Sequence, residues 1–217
     1  MNRIPLSILI VAIALPLAFV LLARGNENDL PQVSELTSQE PFATAIADDG
    51  FSFVGGNPDG DVTVIEYFDY RCGYCRQVRA DLLRLVDEDK GVRLVLKEYP
   101  VLGKSSVAIA RVAMAALRQS GKDYWRLHNA LMSEGGQLSQ IRALAIAEHL
   151  GFDGERLRKD MADARVAEQI SQTREEGRRL GITGTPAFMI GGKLKPGAIS
   201  YSDMTRAVRA ARQKPQA

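Results

Sequence analysis

The sequence predicts an α/β fold, and three features of the chain support this prediction. Val62–Phe68 is rich in β-branched and aromatic residues, which is typical of a strand. Apolar residues then recur at helical spacing from Val78 to Val86, and a second strand candidate runs from Val92 to Val101. A nearly continuous apolar strand in a strand–helix–strand order is typical of a parallel βαβ unit. The predicted order of the whole chain is β-α-β, a helical block, and β-β-α.

A block of predicted helices occupies about residues 104–180, after the second strand. Ser105 or Ser106 is a candidate cap for its first helix, because serine hydroxyls accept hydrogen bonds from free backbone N–H groups. Apolar residues at helical spacing, among them Ile141, predict a helix in the middle of the block. The charged final part of the block is predicted to be helical, with a break near Asp163.

The last part of the chain is predicted to form a hairpin and a helix. Ala187–Ile190 is a short strand candidate, and Gly191-Gly192 is typical of a hairpin turn that leads into Lys193–Ala198. Ser202 is the candidate cap of the final helix. These elements complete the β-β-α unit.

Residues 1–25 are predicted to be a targeting segment outside the fold. Arg3 precedes the uncharged stretch Ile4–Ala23, which is long enough to span a membrane or to form the apolar region of a secretory signal. Small residues before Asn26 suit signal peptidase. The pattern is consistent with a cleaved signal peptide and with a retained membrane anchor, whereas a buried helix of the domain would show polar positions at helical spacing. Both favoured interpretations place the rest of the chain where thiols can be oxidised.

Residues 26–50 are mostly polar and are predicted to be a linker or stalk, with room for one short helix over residues 33–47. A flexible tether and a small oligomerisation helix are the two interpretations that this composition leaves open. The folded domain is predicted to occupy residues 51–217.

The charge balance argues against a protein that binds nucleic acid. Lys and Arg total 28 and Asp and Glu total 26, for a net charge of +2. Two of the basic residues, Arg3 and Arg24, belong to the first 25 residues, so the rest of the chain is electrically balanced. Nucleic-acid binders normally carry a basic excess or a basic stripe. Hydrophobic residues make up 46% of the chain, which is enough for a packed core.

The chain has two cysteines, Cys72 and Cys75, at the junction of the first predicted strand and its helix. Sulfurs three positions apart in a first helical turn can close a disulfide, and free N–H groups there stabilise a thiolate on the first sulfur. This placement favours a redox-active pair. A structural disulfide, half of a zinc site and a Cu(I) carrier are the alternatives. His128 and His149 lack ligand spacing to the cysteines, so we expect no metal site and interpret both as surface or packing residues.

Three groups of residues resemble the DsbA-like thiol:disulfide oxidoreductases. They are the segment Phe68–Cys75, Glu66 in the preceding strand, and the later segment Gly184–Phe188. The resemblance covers roughly residues 51–213 and includes the helical block at the matching place. It implies a thioredoxin-like fold with a helical domain inserted before the last β-β-α unit.

The resemblance also implies a role for each matching residue. Cys72 corresponds to the exposed attacking cysteine, and Cys75 to the buried resolving cysteine. Pro186 corresponds to a cis-proline that faces the disulfide, and Thr185 to the residue whose backbone pairs with the substrate chain. Glu66 corresponds to an acid beneath the site that relays the proton of the buried thiol.

Glu66 also has an explanation without a catalytic role, as a partly exposed acid at the end of a strand. An acid within an otherwise apolar strand is costly unless it is paired or functional, which favours the relay. Lys97 on the second strand is its candidate partner.

Gly73 and Tyr74 lie between the cysteines and are predicted to contact the substrate. They include no histidine, whereas a histidine at this place helps to stabilise the thiolate in strongly oxidising members of the family. We therefore expect the helix end to lower the pKa of Cys72 only from about 8.5 to about 7. This predicts an intermediate reduction potential, between about −270 and about −120 mV.

Taken together, the N-terminal segment and the resemblance predict an exported enzyme, periplasmic or on the outer face of the cytoplasmic membrane. It would oxidise cysteine-containing exported proteins through its cysteine pair, without a cofactor. A membrane redox partner of the DsbB type would then restore the disulfide. The alternative is a reductase or isomerase that uses the same site with a reductant of the DsbD type. An N-terminal membrane tether is compatible with both, and no nucleic-acid partner is expected.

Overall fold

The computed structural model of this protein describes residues 45–135 and 138–213. The predicted targeting segment and most of the predicted linker lie outside the described residues. The strands are β1 (Phe53–Gly56), β2 (Val62–Phe68), β3 (Val92–Glu98), β4 (Ala187–Ile190) and β5 (Lys193–Pro196). The helices are α1 (Gly73–Glu88), α2 (Lys104–Gln119), α3 (Gly121–Ser133), α4 (Gln140–His149), α5 (Gly154–Met161), α6 (Ala164–Arg179) and α7 (Tyr201–Arg212).

The five strands form one sheet in the order β1-β3-β2-β4-β5. The central strands β2 and β3 are parallel, as the βαβ pattern predicts, and the other three pairs are antiparallel. The predicted order lacks β1, because its glycines Gly55 and Gly56 stand beside Asn57-Pro58 and resemble a turn in sequence. The backbone of β1 forms its hydrogen bonds with β3, a distant segment that the local sequence pattern does not reveal.

Successive residues of each strand point to opposite faces of the sheet, and each face has its own apolar cluster. One cluster includes Phe68, Leu94 and Leu96 together with both cysteines and residues of α1, α2, α3 and α7. The other includes Tyr67 and Val95 together with Ile46 and Ala47 before β1 and Leu180 and Ile182 after the inserted helices. The candidate redox pair therefore lies on the face that carries the inserted helices.

Helices α2 to α6 form the inserted block, which confirms the predicted thioredoxin-like fold with a helical insertion. Helix α2 packs against α3, α4, α5 and α6 and has small buried residues, such as Ala113 and Ala116, at its contacts. At the end of the block, Gly177 lets α6 approach the sheet, because a Cβ atom there would overlap the ring of Tyr99. The break between α5 and α6 is at Asp163, whose side chain caps α6, as predicted.

Two local predictions were wrong, and both concern helix caps. Helix α2 begins at Lys104, and its first turn has no side-chain cap, because the preceding residue is Gly103 in the left-handed region at φ 105°. The final helix is capped by Ser200 instead of Ser202. The helix predicted around Ile141 is confirmed as α4, which packs through Ala143 and Ala147 and leaves Ile141 81% exposed.

The packed structure also begins earlier than residue 51. Residues 45–47 are helical, and Ile46 and Ala47 are buried in the cluster that contains Tyr67. Asp49 forms an ion pair of 2.6 Å with the buried ammonium of Lys97. Residues 45–50, which the sequence placed in the linker, therefore belong to the domain.

None of the helices within the described ranges has both the length and the apolar character needed to cross a membrane. The apolar stretch at residues 4–23 lies outside those ranges.

Candidate redox site

The candidate site begins where the chain leaves β2 and enters α1. Cys72 is the N-cap residue of α1, and its own backbone N–H donates to the carbonyl of Asp69 at 2.9 Å. The Asp69 carboxylate accepts three backbone N–H groups, from Arg71 at 2.8 Å and from Val101 and Leu102 at 3.0 Å each. The turn that carries Cys72 is thus fixed to the loop after β3.

The fold lowers the pKa of Cys72 to about 5. The largest cause is a hydrogen bond from the Cys75 thiol, and the side chain of Thr185 and the backbone N–H groups of Cys75 and Tyr74 act in the same direction. Burial opposes this shift. The expected Cys72 pKa of about 7 was therefore too high, because the side chains of Cys75 and Thr185 stabilise the thiolate in addition to the backbone N–H groups of the helix end.

Cys75 has the opposite character. It is buried one turn into α1, and burial is the main cause that raises its pKa, followed by its hydrogen bond to Cys72 and the negative charge of Glu66. At neutral pH the pair thus consists of a thiolate at Cys72 and a thiol at Cys75. This division allows one sulfur to attack or be attacked while the other holds a proton.

Glu66 is buried on the same face of the sheet as the cysteines, which agrees with the relay and excludes the exposed acid. Burial raises its pKa to about 8, and the charge of Cys72 adds to this effect. Lys97 is not its partner. In the register of the sheet Glu66 is opposite Leu96, so Lys97 points to the other face. There its ammonium pairs with Asp49 and Glu176.

The loop before β4 brings Thr185 and Pro186 to the cysteines. The Thr185–Pro186 peptide bond is cis, as the resemblance implied. The Cys72 thiol donates to the Thr185 carbonyl at 3.1 Å. The Thr185 hydroxyl is buried and has no hydrogen-bond partner among the described residues while Cys72 is a thiol, so it is free to donate to a thiolate.

Two exposed apolar side chains lie in the segments that carry and hold the Cys72 turn. Tyr74 is 65% exposed in the first turn of α1, next to exposed Gly73, and Leu102 is 49% exposed in the loop held by Asp69. The structure thus brings all seven predicted site residues together. Their roles toward a substrate remain predictions.

A second group of polar side chains beside the cysteines was not predicted as part of the site and consists of Tyr70, Glu98 and Tyr124. Glu98 ends a strand that also carries Arg93 and Lys97, so its charge does not single it out in the sequence, and only the structure shows that it is buried. Nothing in the sequence pattern indicates the two tyrosines.

Neither histidine joins the cysteines. His128 is buried, and its ring stacks on Trp125 at 5.7 Å and meets the edge of Phe68 at 4.9 Å, while His149 is exposed. Within the described ranges, no group of three or more His, Cys, Asp or Glu side chains is arranged to hold a metal ion.

Known proteins resemble this chain over most of its length. Two Na(+)/H(+) antiporters, from Salinispora arenicola and Salinispora tropica, are 29% and 31% identical over 160 residues. This similarity covers 73% of the chain but only 24% of each antiporter, so the chain spans about a quarter of their length. A probable disulfide bond formation protein D from Bacillus cereus is 27% identical and covers 64% of the chain and 69% of its own length.

Solved structures agree with the fold. A thioredoxin-like oxidoreductase from Silicibacter pomeroyi is 42% identical, with a TM-score of 0.75 over 78% of this chain and 97% of its own. The thiol-disulfide exchange protein α-DsbA2 from Wolbachia pipientis is 25% identical, with a TM-score of 0.75 over 82% and 96%. The family model of the DSBA-like thioredoxin domain matches residues 63–209, which include both cysteines, Glu66 and the cis-proline. The chain therefore belongs to the family of DSBA-like thioredoxin domains.

Proposed function

We propose that this protein is an extracytoplasmic thiol:disulfide oxidoreductase that oxidises pairs of cysteines in exported proteins through Cys72 and Cys75. The observation that carries the proposal is the placement of two free thiols within one helical turn, with Cys72 at the N-cap beside Thr185 and Cys75 buried, which moves their pKa values in opposite directions. A low pKa at Cys72 stabilises the reduced form, and this makes the disulfide a better oxidant. Membership of the DSBA-like family supports the same chemistry.

The reaction begins with the oxidised pair. A thiolate of the substrate attacks the sulfur of Cys72, the Cys72–Cys75 bond breaks, and Cys75 leaves as a thiolate that takes a proton from Glu66. The second thiolate of the substrate then attacks the substrate sulfur that is bonded to Cys72, and Cys72 leaves as a stable thiolate. Two electrons pass from the substrate to the enzyme. Cys75 keeps one proton, the other is released to solvent, and Glu66 is protonated again from solvent.

Two exposed apolar side chains in this region suit an unfolded protein chain as the substrate. Tyr74 follows Cys72 in α1, and Leu102 lies in the loop that the Asp69 carboxylate holds to the Cys72 turn. Gly73 is exposed beside Cys72, and the Thr185 backbone next to Pro186 is the segment on which a substrate chain would pair. Recognition through backbone and apolar contacts would be tolerant of substrate sequence.

The direction of the reaction depends on the redox partner. An oxidase needs a partner of the DsbB type to restore the disulfide, whereas a reductase or isomerase needs a reductant of the DsbD type. We favour oxidation, because a Cys72 pKa of about 5 strongly stabilises the reduced pair. The cysteine pair carries out this exchange without a cofactor.

The test uses three cysteine variants and one measurement of the reduction potential of the Cys72–Cys75 pair. Cys72→Ser should abolish oxidation of a dithiol peptide, whereas Cys75→Ser should accumulate as mixed disulfides on non-reducing gels. The double variant has no thiol and is the blank. Equilibration with glutathione should give a potential between about −270 and about −120 mV. Trapping by Cys72→Ser would reverse the two roles, and a potential near −270 mV would favour the reductase or isomerase.

A further inference from the structure

A buried polar network lies next to the cysteines and has no part in the disulfide exchange described above. Glu98 Oε1 accepts hydrogen bonds from the hydroxyls of Tyr70 at 3.1 Å and Tyr124 at 2.9 Å. The Tyr70 oxygen is also 3.2 Å from His128 Nδ1. The Tyr70 and Tyr124 oxygens are 3.4 Å apart, so the four side chains form one connected network.

These four residues come from three separate parts of the fold. Tyr70 lies in the turn before Cys72, Glu98 is the last residue of β3, and Tyr124 and His128 are on α3 of the inserted block. All four are buried on the face of the sheet that carries the cysteines. The network therefore connects the insertion directly with the turn that carries Cys72.

Tyr70 is also bound through its backbone. Its carbonyl accepts a hydrogen bond of 3.1 Å from the guanidinium of Arg76, in the first turns of α1. Asp69 and Cys72 on either side are joined by the backbone hydrogen bond that closes the turn. The backbone on both sides of the Tyr70 side chain is thus held by hydrogen bonds at the start of α1.

Burial of four polar side chains is costly unless every hydrogen bond is made. Apolar side chains of similar size would fill this space without that cost. The network instead fixes the positions and orientations of its side chains, because hydrogen bonds require a narrow range of distance and angle. The thiolate of Cys72 needs such placement, since its low pKa depends on donors at Tyr74, Cys75 and Thr185.

We propose that Tyr70 is a positioning residue, which Glu98 and the inserted helix α3 hold so that the Cys72 sulfur stays aligned with the donors at the start of α1. The inserted helices thereby set the reactivity of the cysteine pair. This inference rests on the proposed role of Cys72 as the reactive thiol.

The test is Tyr70→Phe, which removes the hydroxyl and keeps the ring. The readouts are the pKa of Cys72, from the ultraviolet absorbance of its thiolate, and the equilibrium constant with glutathione. We expect the pKa to rise by at least about half a unit and the oxidising equilibrium constant to fall about threefold. Loss of these donor contacts destabilises the thiolate and therefore the reduced form.

The matched control is Tyr67→Phe. Tyr67 is also a buried tyrosine whose hydroxyl donates to a glutamate, Glu176 at 2.7 Å, but it lies on the opposite face of the sheet. Both variants should lose a similar amount of stability, and only Tyr70→Phe should change the Cys72 pKa. Equal Cys72 pKa values in both variants and the wild type would overturn the proposal and leave the network a purely structural role.

A second variant keeps the proposal testable if Tyr70→Phe does not fold. Tyr124→Phe removes the other donor to Glu98 from within α3 and leaves the turn unchanged. It should raise the Cys72 pKa in the same direction by a smaller amount, and no change would overturn the proposal. Failure of the proposed function would give a different result. If Cys72 is not the reactive thiol, the Cys72→Ser variant, with no other change, would still show the ultraviolet absorbance of a thiolate.

Discussion

Cys72 and Cys75 are chemically identical side chains whose pKa values the fold moves in opposite directions. The N-cap position gives Cys72 free backbone donors, and the third position of the same turn buries Cys75 above Glu66. With a pKa of about 5, Cys72 is almost entirely thiolate at pH 7. This thiolate is a poor base and a good leaving group, which suits release of the oxidised substrate.

Glu66 offers a prediction that depends on pH. Its pKa of about 8 in the folded protein is above the value of about 4.3 in an unfolded chain. The unfolded chain therefore loses this proton first as pH rises, and the stability that neutral Glu66 contributes is complete below about pH 4 and is lost as pH rises through about 8. Glu66→Gln cannot ionise, so its stability relative to wild type should increase between pH 5 and pH 8.

The same variant should slow turnover, because the amide keeps the shape of the acid but cannot relay a proton. Urea unfolding at the two pH values and steady-state oxidation of a dithiol peptide measure the two effects. Glu168→Gln, an exposed acid on α6, is the control. Unchanged turnover across this pH range would contradict the relay.

At the scale of elements, the segment before β1 is held to the sheet by a buried ion pair. Lys97 is 0% exposed, and its ammonium contacts Asp49 at 2.6 Å and Glu176 at 3.2 Å. Tyr67 donates to Glu176 from the neighbouring strand. The Lys97 ammonium thus connects the segment before β1, the sheet and α6.

Asp49→Asn should destabilise the domain by about 1–3 kcal/mol, because it removes a charge from a buried cation that retains only Glu176. The neighbouring Asp48→Asn is a matched control. Asp48 pairs with Arg93 at 2.5 Å but is largely exposed, so its loss should cost less than about 1 kcal/mol. Urea denaturation compares the two variants. Equal losses of stability in the two variants would mean that the burial of Lys97 does not increase the contribution of its ion pair with Asp49.

At the scale of the whole molecule, the proposed oxidation requires the domain to be outside the cytoplasm. We predict that the native protein is extracytoplasmic and that it begins at Asn26 if residues 1–25 are cleaved, or at its original start if they remain as an anchor. N-terminal sequencing and cell fractionation separate these two outcomes. A native protein that is reduced and cytoplasmic would contradict both.

Much of the fold follows from local patterns in the chain. Strand and helix periodicity predicted β2, α1, β3 and the final β-β-α unit, since these patterns depend on neighbours within a few residues. The spacing of Cys72 and Cys75 predicted a redox pair for the same reason. Strand β1 and the buried residues before it escaped prediction, because their stability comes from pairing and packing against distant segments.

The candidate site was predictable where its parts are close in the chain or resemble a family motif. Long-range geometry decided the rest. Sequence placed Lys97 beside Glu66, but the pleat of the sheet turns it to the opposite face. The pKa of Cys72 depends on Thr185, 113 residues away. The network of Glu98, Tyr70 and His128 likewise exists only where the insertion meets the sheet, because hydrogen bonds and burial depend on distances in space that residue order does not contain.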